Sequence, residues 1–217
     1  SFASASAGIS VSLGNSSMSG GGHFDSYINF EGLIGSQYSD TLVGTTAAET
    51  FDGGTGTNAD SINGNGGSDW LSYASLIGNS GVTVLLGNYA TATTLMTGGA
   101  GNDTVLGNFA GVIGSQYADS LTGSAANETF DGGSSTASDT IIGNGGVDWL
   151  SYASLIGGQG VTLTLNSTSS NRLVYTGGAG NDSLSGVFQG FIGSAFADSV
   201  VGSANNDTIL GGLGNDT

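Results

Sequence analysis

On a nine-residue frame that starts with Gly, lengthened by a two-residue insertion ahead of Asp60 and Asp139, thirteen of the seventeen acidic side chains fall on the sixth position. They are Asp40, Glu49, Asp60, Asp69, Asp103, Asp119, Glu128, Asp139, Asp148, Asp182, Asp198, Asp207 and Asp216. Carboxylates repeated in register with glycine turns are a supply of hard oxygen ligands. Glycine adopts positive φ without strain and lets backbone carbonyls join the carboxylates around one point. Such a donor set suits Ca²⁺, which takes about six to eight oxygens. Zinc or copper would ask for His or Cys. The chain has no Cys and a single His, His23.

The composition points the same way. There are 42 Gly in 217 residues, no Pro, and one Lys-or-Arg side chain, Arg172, for a net charge of −16. Collagen is excluded, because it needs Gly at every third position with abundant Pro. Nucleic acid is excluded as a direct partner, because the chain has no side chains to neutralise phosphates. No run approaches the roughly 18 apolar residues of a membrane span, so membrane insertion is not expected. Uncompensated carboxylates repel one another in a compact fold unless cations bind among them. The cation-free chain is therefore expected to be largely disordered, with several Ca²⁺ ions supplying folding free energy.

The elements that position these carboxylates are legible two residues further on. Wherever the frame is complete, the eighth position is apolar: Leu42, Phe51, Ile62, Leu71, Val105, Leu121, Phe130, Ile141, Leu150, Leu184, Val200 and Ile209. At the chain's 37% hydrophobic content, such a match has a chance of roughly one in a hundred thousand. Each frame then reads as a glycine turn followed by a three-residue strand with one inward side chain. Two frames make one coil of a parallel solenoid.

A longer period of 79 residues overlies the short one. Residues 32–71 align without gaps on residues 111–150 with 26 of 40 positions identical, and a third copy begins at residues 191–202. The organisation expected is one continuous β-solenoid over 1–217, with a partial unit at 1–30, units at 31–109 and 110–188, and a partial unit at 189–217.

GGAGNDTVL at 98–106, GGAGNDSLS at 177–185 and GGLGNDT at 211–217 resemble the calcium-binding nonapeptide of RTX (hemolysin-type) proteins. The resemblance implies an all-β fold, a right-handed parallel β-roll of stacked coils with calcium ions in the turns. It adds Gly98, Gly99, Gly101, Gly177, Gly178, Gly180, Gly211, Gly212 and Gly214 to the carboxylates as metal-site residues. It also implies that each ion lies between adjacent coils, held by acids about eighteen residues apart. The corresponding pairs are Asp198 with Asp216, Asp40 with Asp60, Glu49 with Asp69, Asp119 with Asp139, and Glu128 with Asp148. At a spacing of 16, Asp103 pairs with Asp119 and Asp182 with Asp198. Asn58 competes with Asp60 for the sixth position.

RTX-like proteins are typically exported unfolded and fold outside the cell, so a secreted or cell-surface location is expected. Two roles follow. One is a structural repeat region of a large extracellular protein of S-layer, adhesin or filament type, with copies of itself as partners. The alternative is a C-terminal folding and secretion module of a type I-secreted enzyme or toxin.

Catalysis has no constellation here. A Ser-His-Asp arrangement would have to use His23, and the paired carboxylates recur with the repeat and suit metal. Asp25, Glu31, Asp52 and Asp131 lie off the sixth position and read as a solvated face. In the twice-repeated DWLSYASLIG, Leu71 and Tyr73 point inward, and Trp70 and Trp149 take the outward seventh position. There they offer a contact for a glycan or a neighbouring protein, or pack over an adjacent ladder. The connector SYASLIGNSGVTVLLGNY is expected to continue the solenoid until GGAGND restarts the ion ladder.

Overall fold

A strand of three residues can bury only its middle side chain, and the short elements of this chain do so. Thr41–Val43, Ser61–Asn63, Ser120–Thr122 and Thr140–Ile142 each bury their central residue, Leu42, Ile62, Leu121 and Ile141. The computed structural model of the protein describes residues 1–20, 30–78, 80–94, 98–157, 159–165, 172–175 and 180–217. Among these it is a parallel β-roll: strands separated by glycine turns alternate between two faces, and their inward side chains meet in one apolar core.

One face is a continuous series of parallel strands. Its inward ladder runs Leu33, Phe51, Leu71, Val112, Phe130, Leu150, Phe191 and Ile209, each in register with the next. The opposite face is built in three blocks. Val11, Leu42, Ile62 and Val105 form the first ladder, Val84, Leu121, Ile141 and Leu184 the second, and Leu163 and Val200 the third.

The blocks arise where the connector was expected to run on. Thr83–Leu85 pairs forward with Ser120–Thr122 and starts a new block. The place beside Ser61–Asn63 is taken by residues 104–106, which the chain reaches through an antiparallel pairing of Gly87–Thr94 with Thr104–Ile113. Thr104–Ile113 then serves both faces, its first third beside Ser61–Asn63 and its last third beside Asp69–Ser72. Gly107 makes this crossing possible: it has φ +122 and would bring a Cβ to 3.2 Å from the Gly64 nitrogen. The second unit repeats the device, with Arg172–Tyr175 antiparallel to Asn181–Ser185 and the latter parallel to Thr140–Ile142.

The outward tryptophans are half-buried rather than free. Trp70 is in register with Gly111 and Trp149 with Gly190. A Cβ on Gly111 would lie 2.3 Å from the Trp70 ring, and one on Gly190 2.0 Å from that of Trp149. Each indole therefore covers a glycine of the next coil. Leu71 and Tyr73 are buried, as the frame predicts.

Candidate metal-binding turns

Within a turn, the sixth-position carboxylate folds back over the first glycine of its own frame. Ideal Cβ atoms on Gly53, Gly64, Gly132, Gly143 and Gly211 would stand 2.0–2.5 Å from the Oδ2 atoms of Asp60, Asp69, Asp139, Asp148 and Asp216. The first glycine is thus required for space. A later one is required for conformation: Gly67 and Gly146 have φ +96 and +99, and a Cβ on either would strike a carbonyl of the preceding coil.

Between coils, the backbone N–H of one acid donates to the carboxylate of the acid stacked on it. Asp40 donates to Asp60 Oδ1 at 2.8 Å, Asp119 to Asp139 at 2.8 Å, Glu49 to Asp69 and Glu128 to Asp148 at 3.0 Å, and Asp198 to Asp216 at 3.0 Å. The 16-residue neighbours expected for Asp103 and Asp182 are not what the fold brings together. Asp60 N–H donates to Asp103 Oδ1 and Asp139 N–H to Asp182 Oδ1, in both cases at 2.9 Å and across 43 residues. The inserted hairpin is the cause, because it delivers residues 104–106 beside the coil of Asp60. Asp119 and Asp198 instead head new files, accepting from the N–H groups of Val82 and Val161.

The files are therefore Asp40–Asp60–Asp103, Asp119–Asp139–Asp182 and Asp198–Asp216 on one side of the roll. On the other side stand Glu49–Asp69 and Glu128–Asp148. Those two pairs stop at an aromatic ring: the strand neighbour of Asp69 is Phe109 and that of Asp148 is Phe188, both buried. Asp60 holds the file and Asn58 does not; the Asn58 side chain is exposed and donates to the Gln37 carbonyl. Asp207 accepts from Ser203 at the carboxyl end.

Two chemistries of turn are visible. Where the second frame position is Ser or Thr, the protein offers its own N–H and hydroxyl donors to the carboxylate, although in the Glu128 turn only one of the two oxygens receives them. Ser36 offers both N–H and hydroxyl to Asp40, Ser115 to Asp119, and Ser194 to Asp198; Thr45 and Ser124 do the same for Glu49 and Glu128. Where it is Gly or Asn, as before Asp60, Asp69, Asp139 and Asp148, there is no such hydroxyl. The Oδ2 atoms of Asp69 and Asp148 are buried with no hydrogen-bond partner, as is Oε2 of Glu128.

The electrostatics follow. Burial, reinforced by neighbouring carboxylates, pushes Asp60 and Asp139 up to about 8 and Asp148 up to about 7. Asp69 rises to about 6 through burial and Glu49, and Asp182 to about 6 through burial. With no Lys and a single Arg in the whole sequence, proton or cation must supply the missing charge. The donor set is all oxygen and fits calcium. Among the described residues no three acidic or imidazole side chains converge on one point. An ion in these turns would therefore combine carboxylates of adjacent coils with backbone carbonyls of the glycine turns.

Of the glycines singled out with the nonapeptides, Gly101 and Gly180 have φ +96 and +90 and lie against residues 57–59 and 136–137, in the turns that carry Asp60 and Asp139. Gly211, Gly212 and Gly214 stack on the Gly193–Ala197 turn, with Gly211 also against Asp216. Gly98 and Gly99 form a 3-10 turn beside Ser80 and Gly81. Gly177, Gly178, His23 and Asp25 lie outside the described residues.

Two acids read as solvated are buried. Asp52 accepts from Gly54 N–H, from the Ser72 hydroxyl at 2.8 Å and from both N–H and hydroxyl of Ser75. Asp131 does the same with Gly133, Ser151 and Ser154. The signal was present: the Asp of FDGG stands twenty residues ahead of the first Ser of SYAS in both units. Between those serines, the Tyr152 hydroxyl reaches from the core to Asp182 Oδ2 at 2.8 Å. Burial and the adjacent Asp103 or Asp182 hold Tyr73 and Tyr152 well above the usual phenol range. Glu31 is exposed, as read.

The RTX calcium-binding nonapeptide repeat, in its four-copy form, matches residues 33–59, 55–75, 95–109, 112–136, 174–186 and 191–217, more than half of the chain. Comparison with curated proteins found no match. With its parallel roll, its glycine turns and its files of oxygen ligands, this chain belongs to the RTX calcium-binding repeat family.

Proposed function

We propose that this chain is a calcium-folded structural repeat region of a large extracellular or cell-surface bacterial protein, of S-layer, adhesin or filament type. The observation that carries the reading is the 79-residue unit. One face stacks without a break across unit boundaries, while the carboxylate files restart once per unit, which is how a rod lengthens by repetition. Calcium would occupy the turns along the files, with Asp60, Asp69, Asp139, Asp148 and Asp182 as the acids that burial leaves most in need of a cation. Bound there, the ion supplies positive charge to carboxylates that the fold has buried, and folding follows from binding. High calcium outside the cell then acts as the folding signal.

A second reading, a folding and secretion module of an exported enzyme or toxin, draws on the regular nonapeptides GGAGND and GGLGND. Both readings need the calcium switch. Circular dichroism and thermal melts in calcium should show a cooperative β-structured protein, and in a chelator a largely disordered one. Equal stability in the two conditions refutes the switch. Many further 79-residue units in the full gene, without a catalytic domain, would select the structural role.

A further inference from the structure

The outward ladder of the continuous face has a repeating order: Gly32, Thr50, Trp70, Gly111, Thr129, Trp149, Gly190, Thr208. Each Trp covers the Gly that follows it. Gly111 and Gly190 are buried beneath Trp70 and Trp149, whereas Gly32 is exposed, and a Cβ there would meet nothing nearer than the Thr50 oxygen at 3.5 Å. Gly32–Ile34 pairs with Thr50–Asp52 on one side and, among the described residues, with no strand on the other. The aromatic of each unit changes in parallel: Phe109 and Phe188 are buried, and Phe30 is 54% exposed. A groove lined by Ser1, Gly32, Ile34, Thr50, Asp52 and Ser75 runs along this edge.

Residues 1–4, SFAS, show what belongs in it. Phe2 N–H donates to the Ile34 carbonyl at 2.8 Å, as Tyr73 does to Ile113 and Tyr152 to Ile192 at 2.9 Å. The return bonds agree as well, Ala5 N–H to the Phe2 carbonyl matching Leu76 to Tyr73 and Leu155 to Tyr152. Ser1–Ser4 thus occupies the place of SYAS, which at 72–75 and 151–154 follows Asp-Trp-Leu directly.

We propose that the edge of Gly32–Ile34 left unpaired among the described residues is a docking site for one parallel strand of sequence Asp-Trp-Leu, supplied by another copy of this repeat. Its Trp covers Gly32, its Leu stacks inward on Leu33, and its Asp stands beside Phe30, the register that Asp69–Ser72 takes on Thr104–Ile113. The contact is independent of which acids hold calcium.

The test uses residues 1–217 in calcium, with and without Gly-Asn-Gly-Gly-Ser-Asp-Trp-Leu fused to Ser1. A control extension carries Phe in place of the added Trp, and both forms are also made with Gly32→Ala. The extension is expected to raise the melting midpoint by roughly 5 °C, and the emission of the added Trp, taken as the difference from the Phe form, should be blue-shifted. Gly32→Ala should leave the unextended chain's melt unchanged and abolish both gains. An added Trp that emits as in water with no shift in midpoint overturns the proposal, and so does a gain that survives Gly32→Ala.

Discussion

A carboxylate in this roll is defined by what stands at the second position of its turn. Ser36, Ser115 and Ser194 supply N–H and hydroxyl donors to Asp40, Asp119 and Asp198, so these acids are held by the protein. Ser115→Ala should cost about 1–2 kcal/mol by thermal melts in calcium and leave the number of bound ions unchanged, because it removes a hydrogen bond to a buried charge and no ion ligand. Asp60, Asp139 and Asp148 lack such a hydroxyl, and burial raises them from 3.8 to about 8, 8 and 7. An acid whose folded value lies above its unfolded one stabilises the fold when protonated; that contribution is complete below about pH 4 and disappears as pH rises through the folded values. In a chelator, whatever folded fraction protonation sustains should therefore fall between about pH 5 and about pH 8.5 by circular dichroism, while in excess calcium the melting temperature should hold or rise as ions replace protons. A chelated protein that gains stability toward alkaline pH would contradict the assignment.

At the scale of elements, the tryptophan and glycine of successive coils are one unit. The frame places Trp70 and Trp149 outward, which is correct as far as a single strand can say. That each ring lies on Gly111 or Gly190 depends on a strand some forty residues later. Gly111→Ala sets a Cβ 2.3 Å from the Trp70 ring and should cost about 1–3 kcal/mol. Gly145→Ala, whose Cβ would lie 3.5 Å from its nearest neighbour, should melt close to the parent. Equal losses at the two positions would show that the indole gives way. The buried Asp52 and Asp131 belong to this scale too, since each ties its strand to a SYAS segment one coil away.

For the whole molecule, the hairpin inserted in each unit makes three files on one side of the roll, two of them three acids long. If ions lie between successive acids, the middle of a file serves two sites and its end only one. Asp60→Ala should then remove about two calcium ions and Asp216→Ala about one, by calcium titration of the folded protein. Equal losses from both variants would break the link between file position and ion count.

The nine-residue period by itself determined the short strands, the inward ladder, the oxygen-rich turns and the class of cation, because each depends on residues within one frame: turn, acid, apolar side chain. Asp60 standing beside Asp103, Asp119 heading a new file and Asp52 lying inside were decided only in the tertiary structure. Those outcomes depend on which coil stacks on which. Strand pairing across some forty residues is set by the hairpin of Gly87–Thr94 and the crossing at Gly107, and the count of residues between two acids carries no record of either.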